Sequence, residues 1–325
     1  MKIIFSVLLV LFHFCYIYAQ VENTPIKECT ILMPPIEERT VFCAGCQYWP
    51  NGRVPYKFHN NVTTAQRNAM LSAMAIWEAV ANIDFVKKSS ADPNYILIQD
   101  GDGNNSALGM SGGQQIINIY NWNWTYIMCH ELAHALGFYH EQSRPDRDSY
   151  VIVLDGTNGN IDNVCNDGNG QFNPENTGIT PNIPYDYSSI MHYSKDAFVG
   201  CSDNPDLCYP DNGCESAGLT IQTIDINFQD SIGNRDYLSY SDALMMSFVY
   251  PYSNYRFVNK SIVNSANTAT HIYNALNDFT TTINSLTSIP DNSDVWIMPG
   301  DYIGAEGTYS KPMTLKAPYS GVVLR

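Results

Sequence analysis

The chain has 325 residues, 45% of them hydrophobic, with a formal net charge of −15 and nine cysteines. That length and apolar content suit one large packed domain with something smaller beside it. The acidity argues against a nucleic-acid partner, whose phosphates it would repel, and no stretch after the N-terminus is long enough to span a bilayer.

Residues 1–19 carry one early lysine, Lys2, then an apolar run from Ile3 to Phe12, and end at Ala19. This is the pattern of a secretory signal, and it predicts an exported, extracellular protein. A membrane anchor would need about 20 apolar residues, and His13 and Cys15 interrupt this run. Export makes disulfides expected among the cysteines that remain after Cys15 is removed. Sequence does not choose among the pairings open to Cys43, Cys46, Cys165, Cys201, Cys208 and Cys214.

Residues 20–39 lack periodicity, contain Pro34-Pro35, and close on Glu37-Glu38-Arg39. They read as a short propeptide cut after Arg39, leaving Thr40 as the new N-terminus. Trp49–Gly52 then forms a turn ahead of a strand, Val54 to Phe58. A helix follows from about Thr63 to Asn82, opened by a Thr63/Gln66 capping box and carrying an apolar stripe through Met70, Ala73, Met74, Trp77 and Ala81. Phe85-Val86 and Tyr95–Ile98 read as strands. Asp100–Asn104 starts like a calcium loop but has Asn105 and Ser111 where glycine and glutamate are required, so it reads as a turn. Gly112–Ile119 reads as a half-exposed strand, either an ordinary sheet edge or one to which an extended peptide substrate adds.

The chemistry concentrates at His130-Glu131-Leu132-Ala133-His134-Ala135-Leu136-Gly137-Phe138-Tyr139-His140. Side chains four apart on a helix project about 40° from each other, so His130 and His134 can share a metal ion. Glu131 sits one step round, placed to act as general base on a water. Gly137 can take a positive φ and turn the chain so that His140 returns as a third ligand. Three protein ligands and an open fourth position describe one catalytic Zn²⁺. Cys29 in the propeptide is then a candidate switch, because a thiolate can fill that open position until cleavage; the competing reading is an ordinary disulfide.

Beyond the third histidine the chain continues Glu141-Gln142-Ser143-Arg144-Pro145-Asp146-Arg147-Asp148, and later has Tyr185-Asp186-Tyr187-Ser188-Ser189-Ile190-Met191-His192-Tyr193. Both segments resemble the astacin family of metzincin zinc metalloendopeptidases. Further matches are Trp49…Val54-Pro55-Tyr56 and Ile232-Gly233-Asn234-Arg235…Leu238-Ser239…Asp242. The resemblance covers residues 40–252. It implies an α+β metzincin-type fold: a twisted mixed sheet with two long helices in an N-terminal subdomain, a less regular C-terminal subdomain, and an active-site cleft between them. It also implies Met191 as the Met-turn floor beneath the zinc, Tyr193 as a switchable ligand that stabilises the oxyanion, and Glu141 as partner of the freed Thr40 amine.

The chain departs from the family in lacking its two usual disulfides: no cysteine stands beside Ser106, near Asn121, or near Tyr252. Cys129 precedes the first ligand and reads as a buried, inert side chain. Residues 253–325 lie outside the resemblance. There, Ala269–Phe279 reads as a short helix, and Val295–Tyr302 and Met313–Pro318 as strands weakly resembling a β-helix coil. That tail is either an accessory unit or the cut edge of a longer protein. The expected whole is a secreted, monomeric zinc endopeptidase acting on proteins or peptides. The alternative is an inactive metzincin-like binding or adhesion protein, against which the intact His130, Glu131, His134, His140 and Tyr193 argue.

Overall fold

The structure, a computed structural model, describes residues 30–32, 42–43, 46–154, 172–174, 184–198, 219–260, 269–271, 275–277, 288–303, 310–319 and 322–324. The signal segment, Cys29, the Arg39–Thr40 bond, Cys165, Cys201, Cys208 and Cys214 lie outside the described residues. No described helix is long and apolar enough to cross a membrane.

The N-terminal part is built on a mixed six-stranded sheet. Its strands are β1 (Thr30–Leu32), β2 (Arg53–Phe58), β3 (Asp84–Lys87), β4 (Tyr95–Asp100), β5 (Asn105–Ala107) and β6 (Gln114–Ile119), in the order β1-β5-β6-β4-β2-β3. All neighbours run parallel except β5 and β6. Alternate residues Ile96, Ile98, Ile117 and Ile119 are fully buried, as the period-2 rule requires for one covered face.

Two helices pack against each other in the same core, α1 (Thr64–Val80) and α2 (Thr125–Ala135). Thr63 caps α1 with the expected reciprocal box to Gln66. Met70, Ala73, Met74 and Trp77 form its buried stripe. The Trp77 indole donates to the Cys129 carbonyl on α2 at 3.0 Å, so the long helix is tied directly to the one that carries the histidines. Cys129 is fully buried facing α1, with its Sγ 3.8 Å from the Ala73 carbonyl and its thiol pushed up to about 12 by burial.

The sheet corrects one expectation. Gly112–Ile119 is no edge: β6 is flanked on both sides, and the strand beyond it is β5. The outer side of β5 is taken by β1, which pairs with it in parallel, Thr30 opposite Asn105 and Leu32 opposite Ala107.

Side-chain amides tie distant parts of this domain together. Asn104 Nδ2 donates to Asn121 Oδ1 at 2.8 Å, while Asn104 Oδ1 accepts from the Tyr120 and Asn121 amides, all but sealed from water. Asn82 binds the other end of the domain through its backbone N–H to Tyr250 O and its side chain to Pro251 O. Cys43 and Cys46 form a disulfide.

The second subdomain is less regular. Two strands far apart in sequence, β7 (Val151–Val153) and β8 (Ile221–Thr223), pair antiparallel over a smaller core with Phe172, Tyr185, Tyr193 and Ile232. Helix α3 (Tyr240–Val249), opened by a Ser239/Asp242 capping box, sends Met245, Met246, Phe248 and Val249 into the larger core.

The tail contains β9 (Tyr255–Val258), β10 (Ser293–Ile297), β11 (Gly300–Tyr302), β12 (Met313–Lys316) and β13 (Val322–Leu324). β10 pairs in parallel with β9 and β12, and β11 in parallel with β13, so successive strands stack as turns of a coil. Phe257 and Trp296 pack their rings on Phe248 of α3, which docks the tail on the larger core. The helix expected at Ala269–Phe279 is not formed in its described residues. Leu276 donates to Phe257 O and accepts from Asn259, and Ala269 sits at φ 59 and accepts from Phe257. These three backbone groups are spent sideways on β9 and its end, where a helix would have used them for i→i−4 bonds.

Candidate metal centre

Helix α2 delivers His130 and His134 on one face and then stops. Gly137 takes φ 106, its N–H bonds His134 O, and Phe138 N–H reaches back to Ala133 O. The turned chain is held from outside by Cys43 N–H on Gly137 O and by a bridge between Phe42 and Phe138. His140 follows directly.

A Cβ at position 137 would lie 2.7 Å from Tyr48 Cε1, and the Tyr48 hydroxyl is itself pinned to Cys43 O at 2.6 Å. Gly137→Ala is therefore expected to cost about 1–3 kcal/mol, from backbone strain together with an unyielding neighbour. A melting temperature unchanged from the parent protein would show that the turn is not so constrained.

The three Nε2 atoms converge: His130 to His134 3.1 Å, His134 to His140 3.1 Å, His130 to His140 3.3 Å. Two neutral acceptor nitrogens gain nothing by facing each other, so the arrangement calls for a cation. Ligands at 2.0–2.1 Å from a tetrahedral zinc lie roughly 3.3 Å apart, and the set fits. His130 Nδ1 lies 2.5 Å from Ile190 O and His134 Nδ1 2.6 Å from Phe138 O. Those carbonyls keep the proton on Nδ1 and leave the Nε2 lone pairs aimed at the metal. Burial holds all three imidazoles well below the ordinary histidine pKa, His134 at about 4, with the positive Arg235 adding to the effect. They are neutral, as ligands must be.

Glu131 is fully buried between the two helical ligands. Tyr193, also fully buried, packs its ring 4.2 Å from that of His140, and its N–H donates to Gln142 Oε1. Met191 is buried, and its carbonyl accepts from the Glu141 N–H. Glu141 accepts from Arg144 Nη1 at 3.1 Å and from the Asp186 N–H at 2.9 Å. Burial raises its pKa to about 7 against the opposing pull of Arg144. Glu141, Asp186, Asp242 and Phe138 help to line a cavity of about 20 Å³, enough for one water-sized group.

The site residues predicted within the described region all gather in one place, while Cys29 lies outside that region. Sequence reasoning gave no role to Gln142, Asp186, Asp242 or Arg235. The last two lie in a segment that matched the family but whose contacts reach back some 45–53 residues.

A sheet-backed helix with two histidine ligands, a glycine turn to a third, and a methionine turn against them is the metzincin arrangement. The model of the Astacin peptidase family matches residues 43–251. The chain belongs to the astacin family, and its metal is the family's one catalytic zinc ion. It is 34% identical over 207 residues to zinc metalloproteinase dpy-31 of Teladorsagia circumcincta, covering 62% of this chain and 30% of that protein. It is 35% identical over 206 residues to meprin A subunit beta of Mus musculus, covering 62% of this chain and 26% of that protein. The matched region thus spans less than a third of either relative. Among solved structures it resembles high choriolytic enzyme 1, a hatching enzyme zinc-protease from Oryzias latipes (medaka fish). The TM-score is 0.53 at 30% identity, over 66% of this chain and 98% of the other.

Proposed function

We propose that the chain is a secreted zinc endopeptidase that hydrolyses peptide bonds in proteins or peptides, made as a zymogen and activated by cleavage near Arg39/Thr40. The observation that carries this reading is the convergence of three buried, neutral Nε2 atoms, with the equally buried Glu131 next in the chain to the first of these histidines.

What zinc supplies there is Lewis acidity, which lowers the pKa of a water to roughly 7 and polarises the scissile carbonyl. Glu131 takes the proton of the attacking water and delivers it to the departing amine. Tyr193 donates its phenolic hydrogen bond to the developing oxyanion, and Met191 packs as the floor of the site. Export is supported by the signal pattern of residues 1–19.

Latency is supported from two directions. β1, within the propeptide, occupies the outer edge of β5, the place where an extended chain would add to this sheet. Cys29, the residue before β1, is the candidate thiolate for the fourth zinc position. After cleavage, Thr40 lies two residues before Phe42, which bridges Phe138 on the wall of the small carboxylate-lined cavity. An α-amino group reaching that cavity would meet Glu141 in a charge-assisted contact and order the segment after the third ligand.

The processed protein is expected to begin at Thr40 by mass, to contain one zinc, and to cleave casein until a chelator is added. Zinc-loaded processed protein without hydrolysis would favour the binding-protein alternative. An N-terminus far from Thr40 would overturn the activation scheme and leave the site assignment standing.

A further inference from the structure

Arg235 lies between β8 and α3 and is 9% exposed. Its Nη1 donates to three carbonyls: Ile190 at 3.0 Å, His192 at 3.0 Å and Asn234 at 2.7 Å. Among the described residues no carboxylate forms an ion pair with it. A guanidinium buried against neutral acceptors alone is a costly way to stabilise a loop, so its value lies in what those carbonyls do.

The Ile190 carbonyl is the acceptor that fixes the ring of His130, at 2.5 Å from Nδ1. The His192 carbonyl belongs to the peptide unit that leads into Tyr193, whose own N–H is held by Gln142 Oε1 at 2.9 Å. A single nitrogen thus grips the carbonyls on both sides of Met191. The approach is made possible by Gly233, at φ 82, where a Cβ would lie 2.6 Å from Ser194 Cα. Asn234 Nδ2 adds a bond to Ser188 O from the same segment.

We propose that Arg235 is a positioning residue that clamps the methionine turn, fixing the orientation of the zinc ligand His130 and the placement of Tyr193 together. The second half rests on the reading of Tyr193 given above; the first half does not. Loss of the clamp frees the Ile190 carbonyl to tilt, which loosens His130 about its ring axis, and frees the 192–193 peptide, which lets the phenol drift from the reacting carbonyl.

The test uses the processed, zinc-loaded protein with Arg235→Gln and Arg235→Lys. Zinc affinity is read by competition with a chromophoric chelator, and kcat and KM are read at saturating zinc. Arg235→Gln is expected to weaken zinc binding by roughly 10–100-fold, the range for losing a partner behind a ligand. It is also expected to lower kcat with KM little changed. Arg235→Lys, which keeps the charge but not the guanidinium, is expected to fall between parent and Gln variant on both readouts and decides the matter if the Gln variant does not fold.

In a Tyr193→Phe background, Arg235→Gln is expected to lower kcat at saturating zinc no further, because the hydroxyl it positions is already gone. Parent-like zinc affinity in a folded variant would overturn the His130 half. Full recovery of kcat on zinc saturation, or additive losses with Tyr193→Phe, would overturn the Tyr193 half. If Tyr193→Phe alone costs nothing, the oxyanion reading fails while the zinc-affinity result stands.

Discussion

Glu131→Ala is expected to keep its zinc and lose peptide hydrolysis, with kcat down by roughly 10²–10⁴, the usual contribution of a positioned acid–base group. The separation of the two effects follows from the geometry. The converging donors are the Nε2 atoms of His130, His134 and His140, and the Glu131 carboxylate is not one of them. Alanine is the best helix former, so α2 keeps its backbone bonds and presents the same two imidazoles. The carbonyls of Ile190 and Phe138 still orient those rings. What disappears is the group that accepts a proton from water and returns it to the leaving amine. Zinc stoichiometry of the purified variant and casein hydrolysis by the processed form measure the two halves separately. Appreciable hydrolysis in a zinc-loaded Glu131→Ala protein would remove the general-base assignment.

Tyr193→Phe is the sharper test of the transition state. Phenylalanine keeps the ring, and with it the packing 4.2 Å from His140 and 5.5 Å from Phe172, and the backbone bond to Gln142 is untouched. Only the hydroxyl is removed. Deleting one donor to a developing oxyanion typically costs on the order of 10²–10³ in kcat, and that loss is expected here with KM and zinc content near the parent values. A parent-like kcat would assign the oxyanion to other donors.

The histidine site is legible because helical spacing is local physics: with His130 and His134 four apart and Gly137 placed to break the helix, little else is needed. The α1 capping box and stripe are legible for the same reason. The sheet edge is not. Asn105-Ser106-Ala107 has no strand signature, whereas Gly112–Ile119 has one and reads as the candidate edge. Which strand lies outermost is decided by pairing between distant segments, with β1 coming from some 75 residues before β5. Ala269–Phe279 misleads likewise, because a helix-compatible composition yields when a neighbouring strand offers partners to backbone groups such as those of Ala269 and Leu276. Arg235 is visible as part of a family match, yet nothing in its own neighbourhood tells that it reaches back 45 residues to Ile190.

The buried amide pair of Asn104 and Asn121, and the tether of Asn82 to Tyr250 and Pro251 just after α3, carry a chemical consequence. In the described residues the disulfide Cys43–Cys46 closes a loop only three residues apart in sequence, too short to restrain much of an unfolded chain. The sheet and the helix that bears the first two ligands are joined by bonds that no thiol reagent cleaves. Among the described residues, the joints made by Asn104, Asn121 and Asn82 are therefore ones that a reductant strong enough to open surface cystines would leave as it found them.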